Sequence, residues 1–499
     1  MAHLFKSLIV LVGITTSVLA QATAPAAPKN LRLKSNLATP TLVQHVATGM
    51  DRNPLGTLNI TLPNPVGAGN CLILGVQYNS ALSSSVTSVH DNLGNTWAAG
   101  PKSSNASFQN QNLLYALNAK AGITSITITI SNLSSQESSA QAVFSEFYNV
   151  ALISAADGSS SNSTSASPGA ITTASAGDLI YHWGINGSAV NTNGGNYNST
   201  TPIVAGSNFS LLSADLQVGS CDQYWVQPSA GSTGAISFTY SGGDTWQSVA
   251  IALKSQSAGT PPPSGIYIAH VQHTLISSRP QSRTTVSIMQ FPSMGNLLVG
   301  SFDSGSVTVN SMSDSAGNTW RSAALNLGPG SPPPGAVISQ MLYAQNATTS
   351  NTLHGITVNE SGATTADEIL VLYDVVNAAA SAFDVAASNQ GTQNVAGNVQ
   401  LLSITPTTSN GLVFCGDSHD YGSNTGLTGT GYIFDCAWNN LNHNTNPGTP
   451  TSTMDEDNCK GHFFNPTASV VTFNTTHNLP SDVVGRWSAV AAAFKGGGP

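Results

Sequence analysis

Apolar residues in this chain fall in short runs or in alternation with Ser, Thr and Asn, and turns rich in Gly, Asn and Ser separate them. Residues 71–78, 113–117, 123–130, 142–148, 179–183, 236–240 and 249–253 carry this pattern, which predicts strands. No stretch of useful length has a helical period.

One phrase occurs twice. Asp91-Asn92-Leu93-Gly94-Asn95-Thr96-Trp97 returns as Asp314-Ser315-Ala316-Gly317-Asn318-Thr319-Trp320, each time after a short strand pattern. Asp and Asn bond their own backbone and Gly supplies positive φ, so the phrase predicts a hairpin turn. Other phrases follow suit: Val43-Gln44-His45 with Val271-Gln272-His273, Gly69-Asn70 with Gly295-Asn296, and Leu114-Tyr115-Ala116 with Leu342-Tyr343-Ala344. Trp246 to Lys254 matches Trp487 to Lys495. The chain therefore reads as one β unit duplicated, over 41–254 and 266–496. A Pro-rich linker at 255–265, with three consecutive prolines, joins them. Spacing between the copies lengthens toward the C-terminus, which puts insertions in the second copy around 417–461.

Many short strands, turn-rich joints and the absence of helices predict an all-β protein of two tandem antiparallel β-sandwich domains of jelly-roll type. The phrases Gly-Asn-x-Leu, Asp-x-x-Gly-Asn-Thr-Trp, Leu-Tyr-Ala and the closing Trp…Ala-(Leu/Phe)-Lys resemble the concanavalin-like or Ig-like sandwich modules of bacterial secreted and cell-surface proteins. The resemblance implies an extracellular setting and an association with surface attachment or carbohydrate contact. It implies no catalytic residue.

Composition changes the picture in one respect. Charged residues make up 7% of the 499 residues, against roughly 25% in ordinary soluble proteins. A net charge of −9 with no basic cluster argues against nucleic acid and anionic lipid as partners. Lys6 followed by an apolar run and Val18-Leu19-Ala20 reads as a signal peptide over 1–20, with a flexible lead-in at 21–40. No stretch reads as a membrane span. Secretion permits disulfides, and of the five cysteines Cys436 and Cys459 flank one loop region and are the expected pair. Cys71 and Cys415 read as small buried hydrophobes.

Candidate chemistry is sparse. Asp91 with Asn95, and Asp314 with Asn318, offer oxygens for calcium, yet that ion takes about six to eight oxygen ligands, so plain turns without metal are expected. Trp97 and Trp320 read as core or strand-end aromatics. Glu146 shares a strand face with Phe144 and Tyr148, where burial among aromatics would suit a general acid. Glycoside hydrolysis needs a second carboxylate about 5–10 Å away, which Asp157 or Asp222 supplies only if the fold brings it there. The position matching Glu146 in the second copy reads as Val371. His182, matched by Cys415, reads as structural. Asp417, His419-Asp420 and Asp455-Glu456-Asp457 read as ordinary loop composition. No nucleophile elbow, zinc-protease, phosphate-loop or dinucleotide motif occurs.

These readings predict a secreted, non-catalytic surface-binding or adhesive protein that contacts a glycan or envelope polymer through the loop aromatics Tyr224, Trp225, Tyr432 and Trp438. The alternatives are a carbohydrate-active enzyme built on Glu146, and a structural component of an extracellular matrix or appendage. Oligomeric state is open.

Overall fold

The computed structural model describes residues 38–497, apart from 49–50, 53–55, 80–83, 105–108, 132–138, 187–202, 216–219, 240–245, 277–282, 289–295, 306, 330–336, 349–353, 363–367, 394–396, 421–422, 429–431, 439–455 and 479–484. The expected signal peptide and all of the lead-in before residue 38 lie outside the described residues.

Every helix or strand among the described residues is a strand. The alternating pattern explains why: in Ser125–Ser131, Ile126, Ile128 and Ile130 are buried while Ser and Thr between them face outward. The expected 236–240 segment is an exception. Ile236 and Phe238 are buried, but among the described residues 236–239 only Thr239 pairs, in an isolated bridge with Val204. Alternation reports burial on one face; a strand also needs a neighbour to pair with.

The largest element is an 11-stranded sheet. From one edge its path runs Ala98–Ser104, Gln109–Ala116, Cys71–Asn79, Ser139–Tyr148 and Thr41–Ala47. It continues through Tyr267–Ile276, Glu368–Val376, Asn296–Ser304, Ile338–Ala347 and Arg321–Asn326, with Asp51–Arg52 pairing off this path. The first five strands belong to the first copy and the next five repeat them in mirrored order. At the join, Thr41–Ala47 and Tyr267–Ile276 pair in parallel, with His45 opposite His270, Val46 opposite Val271 and Ala47 opposite Gln272.

Five further sheets complete the larger layers. In the first copy these are the three strands Thr57–Thr61, Ser125–Ser131 and Ser85–Asp91, and a five-stranded sheet from Ala156–Asn162 through Trp246–Leu253, Leu179–Asn186 and Ser220–Val226 to Ser210–Asp215. In the second they are Arg283–Ile288, His354–Glu360 and Val309–Asp314, and a five-stranded sheet from Ala378–Gln393 through Gly485–Gly496, Gly411–Asp420 and Glu456–Asn465 to Tyr432–Trp438. Gly397–Ile404, Val471–Asn478 and Ser423–Thr428 form one more.

The cores show which face each sheet covers. Leu72, Leu74 and Phe144 of the central sheet pack with Ile60, Ile126 and Ile128, and the same core continues through Val299 and Tyr373 to Phe414, Val490 and Phe494. On the opposite face Ile73, Val143 and Phe147 pack with Tyr181, Trp183 and Ile251. Farther along that face Phe302, Leu370 and Leu372 pack with Met312, Ile356 and Val358. The small sheet of one copy therefore shares a face with the five-stranded sheet of the other. A twofold axis running along the strands produces this arrangement, because it turns the sheet over between copies.

Residues 255–265 enter the second copy without interrupting the shared sheet. Asn70 Nδ2 donates to Thr260 O at 3.0 Å and Thr260 N donates to Asn70 Oδ1 at 2.6 Å. Across the join, Asn64 Nδ2 donates to Ile268 O at 2.5 Å, and His462 Nε2 bonds Pro63 O at 2.9 Å. Residues 37–499 form one compact unit. No helix among the described residues is long and apolar enough to cross a membrane.

Candidate functional site

The duplicated turn is a clamp for an indole. Asp91 accepts N–H groups from Leu93, Asn95 and Trp97 Nε1, the last at 3.0 Å. Asp314 accepts from Ala316, Asn318 and Trp320 Nε1, the last at 2.7 Å. Gly94 and Gly317 close the turns at φ 68° and 74°, a region open to glycine at no steric cost. Burial works against the Asp91 charge, but its donors from Trp97, Leu93 and Asn95 hold the carboxyl below the usual range. Each carboxylate uses acceptor sites on these N–H groups and so holds both the turn and the indole. Among the described residues no His, Cys, Asp or Glu cluster fits a metal.

Glu146 is fully buried, as its alternation with Phe144 implied. It accepts from Gln44 Nε2 at 2.5 Å, Asn70 Nδ2 at 2.5 Å and Gly67 N at 2.8 Å. Burial raises its pKa and these three donors oppose the shift. The second-copy match is Asp374, not Val371: Leu72 opposes Glu146 and its counterpart Leu298 opposes Asp374. Asn296 Nδ2 donates to Asp374 at 2.9 Å, as Asn70 does to Glu146. Asn149 and Asn377 follow the two carboxylates at φ 64° and 61°. A carboxylate bound by the same asparagine in both copies ties the central strands to the preceding loop.

The Val-Gln-His phrase is likewise out of register. A bulge lies between Leu42 and Gln44 and another between Ile268 and His270, which makes Gln44 the counterpart of His270. His45 and His270 meet at the join with ring centroids 4.6 Å apart.

On this face lies the arrangement closest to a catalytic one. Ser145 Oγ is 2.8 Å from His45 Nδ1, and His45 Nε2 is 3.6 Å from Asp222 Oδ2. Ser145 donates to the Tyr181 hydroxyl at 3.3 Å, Tyr181 donates to Asp222 at 2.5 Å, and Ser213 donates to Asp222 at 2.5 Å. Ser, His and Asp thus stand in a relay, but each has 0% exposed surface. A nucleophile needs a carbonyl within reach, and this one is enclosed by Phe147, Tyr181 and Trp183. Burial lowers the His45 pKa, against the pull of Asp222. The sequence singled out Asp222 alone, because nothing local ties it to Ser145 or His45.

The two partners considered for Glu146 do not face it. Ser145 packs toward Asp222, so Glu146, one residue on, projects from the opposite face of the central sheet. Asp157 lies in the edge strand of the five-stranded sheet that covers the Asp222 side. It accepts from Ala174 N at 2.7 Å and Ser175 N at 3.0 Å, with Lys254 Nζ 3.7 Å away. Asp384 repeats this with Thr407 and with Lys495 Nζ at 3.6 Å. The first copy adds Asp178, whose carboxyl is pushed up to about 7 by burial and by Asp157. Gly411 takes that place in the second copy, where it opens the strand matching Leu179–Asn186.

The expected loop aromatics stand in strands. Tyr224 and Trp225 lie in Ser220–Val226, half-buried, with Tyr224 5.3 Å from Phe147 and Trp225 5.8 Å from Phe209 between ring centroids. Tyr432 and Trp438 begin and end Tyr432–Trp438, and their side chains lie outside the described residues. So do those of Cys436 and Cys459, placed on paired strands opposite Lys460 and Ala437. Cys71, Cys221 and Cys415 are buried free thiols. His182 is structural: Nδ1 bonds Gln223 Nε2 at 2.8 Å and its ring stacks on Phe238 at 4.3 Å.

One buried pair escaped the sequence reading. Lys460 Nζ contacts Asp303 Oδ2, with both side chains at 0% exposure. Registers on Leu179–Asn186 and Gly411–Asp420 make Lys460 the counterpart of Asp222. The available signal was a lysine on the same strand face as His462 and Phe464.

No protein-family model matches this chain, and no curated protein or solved structure does so either.

Proposed function

We propose that this is an extracellular, non-catalytic binding or adhesive protein that contacts neutral polymers such as glycans. Its layers are read as two sandwich modules sharing one central sheet, and export rests on the signal-like first residues. The observation that supports binding is the outer face of the small sheets. Asn59, Thr87, Thr127 and Thr129 stand outward, with Thr127 Oγ1 donating to Asn59 Oδ1 at 2.8 Å and Thr87 Oγ1 to Thr129 O at 3.2 Å. The second copy carries Asn359 Nδ2 on Ser311 Oγ at 3.1 Å, and Ser403 with Thr472 at 2.8 Å. Such rows offer donors and acceptors without charge, which suits sugar hydroxyls. Glu146, Asp91, Asp314 and Asp157 serve as internal ties, and that weighs against the glycosidase alternative.

In pull-downs on a panel of neutral polysaccharides the wild type is expected to be retained. Asn59→Lys with Thr127→Lys, both on the solvent face, is expected to weaken retention about tenfold, the loss of one or two hydrogen bonds. A wild type that binds nothing on the panel, or a variant that binds as well, contradicts the proposal.

A further inference from the structure

Lys460 and Asp303 pose a physical problem as an ion pair. Lys460 stands in Glu456–Asn465 of the outer sheet and Asp303 in Asn296–Ser304 of the central sheet. Both are at 0% exposure, and neither Lys460 Nζ nor the Asp303 oxygens have a hydrogen-bond partner among the described residues. Buried charges are stable as a pair only when further hydrogen bonds satisfy the remaining protons and lone pairs. Gly416 and Ser301 beside the contact are small and neutral. Gly416 sits over the contact, and a Cβ there would come within 3.1 Å of Lys460 Nζ and 2.5 Å of Ser301 Oγ. Burial also pushes the Lys460 pKa well below its ordinary value, which favours the neutral amine.

We propose that Lys460 and Asp303 condense into an amide, a covalent cross-link between the central sheet and the outer sheet of the second copy. A proton passes from the ammonium to the carboxylate, leaving an amine and a carboxylic acid. The amine lone pair adds to Asp303 Cγ and forms the N–C bond. The Cγ–OH bond then breaks, and the hydroxyl leaves with one amine hydrogen as water. Both charges disappear, and no oxidant or activating group enters. The first copy has no such pair, because Asp222 occupies the position of Lys460 and is bonded to Tyr181 and Ser213.

The test is a tryptic map and mass measurement of the purified full chain under denaturing conditions. Trypsin does not cut after an acylated lysine. The segment between Arg283 and Arg321, which contains Asp303, is expected to remain joined to the segment between Arg321 and Arg486. The joined species should be lighter than its parts by one water. Asp303→Asn should give the same cross-link with loss of ammonia, and therefore a product of wild-type mass. Asp303→Ala should restore cleavage after Lys460. If that variant does not fold, the wild-type map decides alone: cleavage after Lys460, with both fragments at full mass, overturns the proposal.

Discussion

Replacing Glu146 by leucine is expected to lower the unfolding free energy by about 3–5 kcal/mol, the range for removing one partner from a buried charged network. Gly67 N loses its acceptor, and Gln44 and Asn70 each lose one of theirs. Glu146→Gln keeps the shape but turns an N–H toward the Gln44 amide, whose oxygen is held by Asn64 at 3.1 Å. It is expected to cost less than leucine and more than a surface change. Urea unfolding measures both. If leucine costs under about 1 kcal/mol, a surface-like effect, the buried-tie reading of Glu146 fails and the acid–base alternative regains weight.

The second large effect is on pH. Burial pushes the His182 pKa down from 6.5 to about 3. The unfolded chain then binds a proton below pH 6.5 that the folded chain refuses. The stability this neutral histidine contributes is present above pH 6.5 and is lost as pH falls toward 3. The slope is about 1.4 kcal/mol per pH unit for one such group. His270 and His45 are also lowered by burial and act in the same direction. Asp178 acts oppositely, since its raised carboxyl takes up a proton in the folded state first as pH drops below about 7. In urea titrations between pH 6 and pH 4, His182→Phe should keep the stack on Phe238 and flatten the slope by that amount. Gln223 Nε2 retains Ser237 O at 3.2 Å but loses His182 Nδ1, a cost that is the same at every pH and leaves the slope comparison intact. An unchanged slope would show that His182 titrates normally.

Much of the scaffold was legible because its signals are local. Alternation marked Ser125–Ser131, and the Asp-x-x-Gly-Asn-Thr-Trp phrase located both turns, although each passes from a small sheet to the central sheet instead of closing the expected hairpin. The errors come from non-local geometry. Matching bulges in Thr41–Ala47 and Tyr267–Ile276 align Gln44 with His270, two residues from the Gln272 that the letters suggest, so identical letters did not mean equivalent positions. The same ambiguity put Val371 where Asp374 stands. Tyr224 and Trp225 looked like loop residues because Ser220–Val226 has no clean alternation; Ser220 to Gln223 are all buried. The relay of Ser145, His45 and Asp222 and the Lys460–Asp303 contact each join residues remote in sequence, which no spacing rule reaches.

The duplicated copies are expected to unfold together, because Thr41–Ala47 and Tyr267–Ile276 make their sheets one. Hydrogen exchange in an Ile128→Ala variant tests this most directly. Ile128 lies in the first copy's outer sheet, and removing it from a filled core costs about 2–5 kcal/mol. Amides of Cys71–Asn79 in the first copy and of Asn296–Ser304 in the second are expected to exchange faster by the same factor. Acceleration confined to Cys71–Asn79, with Asn296–Ser304 at the wild-type rate, would contradict it.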